Sequence, residues 1–195
     1  MADTKIEWCD KSWNPVIGCT KCSPGCQNCY AERMACRIAS IEESKKPFKP
    51  VYSRVVINGK WGENVICRET KLDEPLHWRK PCKIFVCSMS DLFHEKVPFE
   101  FIDNVMAIIS LCPQHIFLIL TKRPEIMLKY FKSREPNVNG GNVTVEEKYL
   151  CRFERKGHSV VFPCDNMGLG VSISTPDELW KIEKLLEIQA AIRFV

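Results

Sequence analysis

Ile116-Phe-Leu-Ile-Leu-Thr-Lys-Arg-Pro-Glu-Ile-Met-Leu-Lys-Tyr-Phe131 decides the fold class. Its first five residues are a continuous apolar run, the pattern of a strand buried on both faces of a parallel sheet. Pro124 stands where a proline opens a helix, and the spacing predicts that helix through Phe131. The same order recurs on either side. Lys83–Cys87 reads as a buried strand followed by a helix over Phe99–Leu111, and Asn166–Ser174 as a strand followed by a helix over Asp177–Ile188, capped at Thr175-Pro176. Upstream, Val16-Ile17-Gly18 reads as a short strand. A helix follows from Tyr30, with apolar residues at 30, 31, 34, 35, 38 and 41. Ala191–Val195 reads as a last strand. Strands alternating with helices call for an α/β fold, a parallel sheet covered by helices, in a single domain over residues 1–195.

Two stretches interrupt this pattern. Residues 45–80 are irregular, with a turn at Asn58-Gly59 and a small hairpin expected between Val55–Ile57 and Val65–Ile66. Residues 133–165 lose periodicity and read as an insertion.

The 195 residues carry a net charge of +4 and are 45% hydrophobic, which suits a folded domain and permits an anionic partner without requiring one. No apolar run approaches the roughly 20 residues of a membrane span, and the N-terminus lacks a signal-peptide core, so a cytoplasmic location with no membrane partner is expected. Twelve cysteines in such a chain suggest a reducing compartment rather than disulfides. Cys36, Cys67, Cys82, Cys87, Cys112, Cys151 and Cys164 lie in or near apolar segments and read as small hydrophobes. His77 has no ligand-spaced partner and reads as an ordinary histidine.

Four of the five remaining thiols stand in Cys19-Thr-Lys-Cys22-Ser-Pro-Gly-Cys26-Gln-Asn-Cys29, where Pro24-Gly25 supplies a turn that lets them converge. Cys19, Cys22, Cys26 and Cys29 are the candidate metal ligands. As two thiolate pairs they have the donor chemistry of a structural zinc site, although only three residues separate the pairs. Alternatively, three of them could hold a 4Fe-4S cluster whose fourth iron stays open.

Ligands of parallel α/β sheets bind at the carboxyl ends of the strands. Besides the cysteine loop, the strand ends deliver Ser88, Ser90, Asp91 and His94, then Thr121, Lys122 and Arg123, then Ser172 and Ser174. Ser88, Ser90, Asp91, Thr121, Lys122 and Arg123 are the candidate cofactor-binding residues, and Asp91, Lys122 and Arg123 the candidate catalytic ones. A Lys-Arg pair after a buried strand is well placed for a carboxylate or phosphate.

Placed between a first strand and a helix, Cys22-x3-Cys26-x2-Cys29 resembles the cluster loop of radical S-adenosylmethionine enzymes. Ile6-Glu-Trp8, Trp13-Asn-Pro15, Gly18-Cys19-Thr-Lys21, Ser23-Pro-Gly-Cys26, Cys29-Tyr-Ala-Glu32, Ser88-Met-Ser-Asp-Leu-Phe-His94 and Leu120-Thr-Lys-Arg-Pro124 together resemble a phage-associated three-cysteine-motif family related to those enzymes. The resemblance implies a radical-enzyme-like partial (β/α) barrel, a 4Fe-4S cluster, S-adenosylmethionine as cofactor and an electron donor as partner. It also implies radical chemistry on an unknown substrate, which the phage context makes nucleic-acid-related or a nucleotide. In that family pattern the ligands fall at Cys19, Cys26 and Cys29, whereas the radical-enzyme spacing selects Cys22, Cys26 and Cys29, so Cys19 and Cys22 both stay candidates. Asn28 stands where an aromatic residue is usual. Family members continue past the strand matching Ala191–Val195, so a barrel incomplete at its C-terminus is expected, completed by another chain or a C-terminal portion and inactive alone. The opposing expectation is a non-catalytic interaction module held by zinc.

Overall fold

The computed structural model describes residues 6–44, 51–134 and 164–195. The expected insertion therefore lies outside the described residues except at its two ends, as do Cys151 and residues 45–50 of the irregular segment. Five parallel strands form the central sheet: β1 (Lys11–Trp13), β2 (Lys83–Val86), β3 (Ile116–Thr121), β4 (Met167–Val171) and β5 (Ile192–Phe194). They lie in that order across the sheet, so each neighbour is the next of these strands along the chain. One row of the register runs Trp13, Val86, Ile119, Leu169, Arg193 and the adjacent row Ser12, Phe85, Leu118, Gly168, Ile192.

Alternation along β3 separates two faces. Phe117, Ile119 and Thr121 are buried, together with Ile84, Val86, Met167, Leu169 and Val171 from the neighbouring strands. They pack with α2 (Phe99–Leu111) and α3 (Pro124–Ser133) into the main core. α2 is apolar nearly all round because it is buried on most sides, and Ile102, Val105, Met106 and Ile109 are fully enclosed. α3 begins at Pro124, as a proline at the first helical position requires. α1 (Tyr30–Ser44) follows the cysteine loop, and α4 (Trp180–Leu186) links β4 to β5.

Several expectations shift. The first sheet strand is Lys11–Trp13, not Val16–Ile17, which instead pairs antiparallel with Ile66–Cys67. Gly18 then rejoins the sheet direction through a parallel bridge to Ser90. The expected hairpin partner is also different. Val56–Ile57 pairs with Lys60–Trp61 across Asn58-Gly59, both at positive φ (51° and 72°), the geometry of a tight primed turn. β4 stops at Val171, leaving Ser172 to Ser174 in a loop, and the following helix is broken into a short 3-10 turn at Pro176–Glu178 and α4. Among the described residues no helix is long and apolar enough to cross a membrane.

Candidate functional site

The cysteine loop is pinned before it reaches its thiols. Asn14 Oδ1 accepts from Ser88 Oγ and from the Met89 amide, and Gly18 O accepts from Ser90 Oγ at 2.6 Å. Gly18 has φ +87°, and a Cβ there would sit 2.3 Å from Asn64 O, so only glycine lets the loop begin here. A second close approach follows at Gly25, where a Cβ would lie 1.9 Å from Ser174 Oγ and 2.8 Å from Ser174 Cβ. The turn Pro24–Cys26 thus rests directly on the loop after β4.

Glu178 fastens that contact. It is buried with Lys181, to which it is paired, and its Oε2 accepts from the Ser174 amide at 2.8 Å. Lys181, then Ser174 and Ser23, hold its carboxyl down to about 2 despite burial.

Arg123 anchors the other side. Its Nε donates to Glu95 Oε1 (2.9 Å), Nη1 to Cys19 Sγ (3.8 Å) and Asp91 Oδ2 (3.4 Å), and Nη2 to Thr20 O (2.9 Å) and Thr20 Oγ1 (3.0 Å). Five bonds match the five N–H groups of the guanidinium. Burial opposes its charge, but Asp91 and Glu95 outweigh that and raise its pKa. Asp91 is as fully engaged, accepting from Thr121 Oγ1 (2.7 Å), the Phe93 amide (3.0 Å) and the Lys122 amide (3.0 Å). His94 is buried, with Nε2 2.8 Å from Thr20 Oγ1 and Nδ1 accepting from the Lys96 amide. Burial, then Arg123, pushes its pKa down. Asp91, Thr121, Arg123 and His94, expected at the site, are therefore brought together there as a buried network that grips Thr20 and Cys19.

Above this network lies a cleft of about 140 Å³. Cys19, Cys26 and Cys29 line it together with Ser88, Ser90, Asp91, Thr121, Lys122 and Arg123. Cys22 is not on its wall and is exposed, although its thiol hydrogen-bonds the Cys26 sulfur. That bond and donors from Cys22 and Ser23 lower Cys26 to about 4, whereas the same bond pushes Cys22 up. Burial and the nearby Asp91 push Cys19 up to about 11. Cys29 accepts from the Glu32 amide in the first turn of α1 (3.5 Å). Lys122 Nζ donates to Ser172 Oγ, another wall residue, and faces no carboxylate within bonding distance among the described residues.

Several contributors escape local sequence reading. Trp61 lines the cleft, its amide donating to Glu32 Oε2, and its indole Nε1 is buried without a partner among the described residues. Asn14, Thr20 and Glu95 act through contacts spanning many residues, and Glu178 through the nearby Ser174 amide; Asn14 and Thr20 stand in the sequence motifs, Glu95 and Glu178 do not.

Among the described residues, no three His, Cys, Asp or Glu side chains converge as a single metal ion needs. A tetrahedral zinc requires four donors each about 2.3 Å from one point. A cubane demands less convergence, because each thiolate binds a different iron. A donor set of thiols only suits such a cluster.

Compared with known families, residues 3–195 match one described as "Protein of unknown function (DUF5131)". No curated protein and no solved structure matches the chain.

Proposed function

The chain belongs to that family, whose description assigns no chemistry, and from its own residues we propose an iron-sulfur protein of the radical S-adenosylmethionine type. The observation that carries this reading is that Cys19, Cys26 and Cys29, from one loop at the carboxyl end of a parallel sheet, line a single cleft from which Cys22 is absent. In this account those three thiolates hold a 4Fe-4S cluster, and the fourth iron is left for S-adenosylmethionine. The sequential order of the five strands is that of a (β/α) barrel segment, and the motif blocks from Ile6 to Pro124 resemble the three-cysteine family.

When bound, the group would supply one-electron reductive cleavage of its cofactor, with the electron brought by a separate donor. The chain's residues do the rest. Arg123, Asp91 and Thr121 are positioning residues, since their polar atoms are taken by the protein and hold Thr20 and Cys19 in place. Ser88 and Ser90 give their protons to Asn14 and Gly18 and offer lone pairs to the cleft. Lys122 and Ser172 are the groups left to bind an anionic part of cofactor or substrate. The substrate is proposed only as far as that charge, which a nucleotide would satisfy.

Anaerobic reconstitution with iron and sulfide tests the reading. It predicts a brown chromophore with about four irons per chain, whereas stoichiometric zinc and no bound iron would refute it and favour the zinc-held module.

A further inference from the structure

Among the described residues, the sheet face opposite the helices is not filled. Ile116, Leu118 and Leu120, the alternate residues of β3, all line a second cavity of about 520 Å³, with Trp8, Ile192 and Phe194. That volume lies within the roughly 300 to 1,000 Å³ typical of small-molecule pockets. The cause is in β4, whose residues on this face are both glycines. A Cβ on Gly168 would meet Leu118 Cδ2 at 2.8 Å, and one on Gly170 would meet the Phe194 ring at 2.5 Å. Leu118 and Phe194 therefore lie down over the strand, and the face becomes a flat apolar floor. Trp8 is 42% exposed and stands at its side, its ring 4.7 Å from Phe85 and 6.5 Å from Phe194.

This floor runs into the cysteine cleft, because Leu120 lines both cavities. Continuing the alternation, the next residue on that side of the chain after Leu120 is Lys122. The stripe therefore reads apolar, apolar, apolar, cation over about 20 Å of chain. A ligand complementary to this stripe has a flat apolar body and one anionic group.

We propose that the open face of the sheet between Trp8 and Phe194, together with Lys122, is a binding site for an aromatic acid. The ring system lies on Leu118 and Leu120 against Trp8 and Phe194, and the acid group meets Lys122. Lys83 lines the same cavity at the far end of the stripe, level with Ile116, but it is exposed and its own amide holds the Asp10 carboxylate, so Lys122 is the cation assigned to the acid group. The inference rests on the proposed function only in regarding the cleft as the place of reaction.

Calorimetric titration of the full chain with 2-naphthoate, its neutral counterpart 2-naphthamide and adenosine monophosphate tests the assignment, with bound iron measured on the same preparations. 2-Naphthoate should bind at least tenfold more tightly than 2-naphthamide. Trp8→Ala and Lys122→Met should each weaken it at least fivefold, whereas Lys83→Met should leave it unchanged. Trp8 is half-exposed, so its removal should keep the thermal midpoint, and Phe194→Leu provides a second variant with the same expected loss. Equal binding of acid and amide, indifference to Trp8→Ala and Phe194→Leu, or tighter binding of adenosine monophosphate would overturn the assignment. Iron retained without naphthoate binding would sink this inference alone. Naphthoate binding by a chain that takes up no iron would sink the cluster reading and leave this one.

Discussion

Arg123 donates to the sulfur of Cys19 at 3.8 Å while its remaining N–H groups are held by Asp91, Glu95 and Thr20. A cation expected to face a ligand is thus a buried strut between the end of β3 and the cysteine loop. Removing it strands Asp91, which is 6% exposed, and frees Thr20.

Arg123→Met should therefore destabilise the fold by about 3 to 5 kcal/mol, the cost of breaking a buried charge pair, lowering the midpoint of thermal unfolding by roughly 10 °C. Arg123→Lys should recover little of this, since one ammonium cannot reproduce a planar five-donor fork. Differential scanning calorimetry of the two variants checks it, and a midpoint shift below 2 °C for Arg123→Met would contradict the strut.

The contact between Gly25 and Ser174 predicts a suppressor. Gly25→Ala places a methyl within the space of both Ser174 Cβ and Oγ, so the loop must move, at a cost of about 1 to 3 kcal/mol, with a parallel drop in iron uptake. Adding Ser174→Gly removes both clashing atoms and should restore most of the stability and the uptake. Additive losses in the double variant would show that the two loops do not touch as described.

Glu178 predicts a feature of acid unfolding. Its folded pKa, held to about 2 chiefly by Lys181, lies below the ordinary 4.5. The stabilisation is therefore complete above about pH 4.5 and is lost as pH falls towards 2. Denaturant titrations between these limits should show a steeper loss for the native chain than for Glu178→Gln, and superimposable acid limbs would contradict the assignment.

Much of the fold was legible locally, and the exceptions share a cause. β2, β3 and β4 announce themselves as apolar runs because they are interior strands, and α2 spans Phe99–Leu111 as its periodicity predicts. β1 does not, since Lys11-Ser-Trp13 is an edge strand with one enclosed apolar side chain. Val16-Ile17 looked more like a strand and is one, but its partner is 50 residues away at Ile66–Cys67, a pairing that no local pattern encodes.

The same holds at the site. Strand-end position brought Ser88, Ser90, Asp91, Thr121, Lys122 and Arg123 to one cleft, because it depends only on topology. It could not tell that Asp91 and Arg123 spend their polar atoms on each other and on the loop, or that Trp61 is carried to the cleft by a turn at Asn58-Gly59 and by Glu32. Spacing likewise left Cys19 and Cys22 equal, whereas in the folded chain one faces the cleft and the other solvent.

That difference is the most direct test of the account. Single replacements Cys19→Ala, Cys22→Ala, Cys26→Ala and Cys29→Ala, each reconstituted anaerobically, should be compared by bound iron and by the absorption and paramagnetic resonance of the reduced cluster. The account predicts that Cys22→Ala keeps about four irons per chain while the other three lose the cluster. Loss in Cys22→Ala with retention in Cys19→Ala would contradict it.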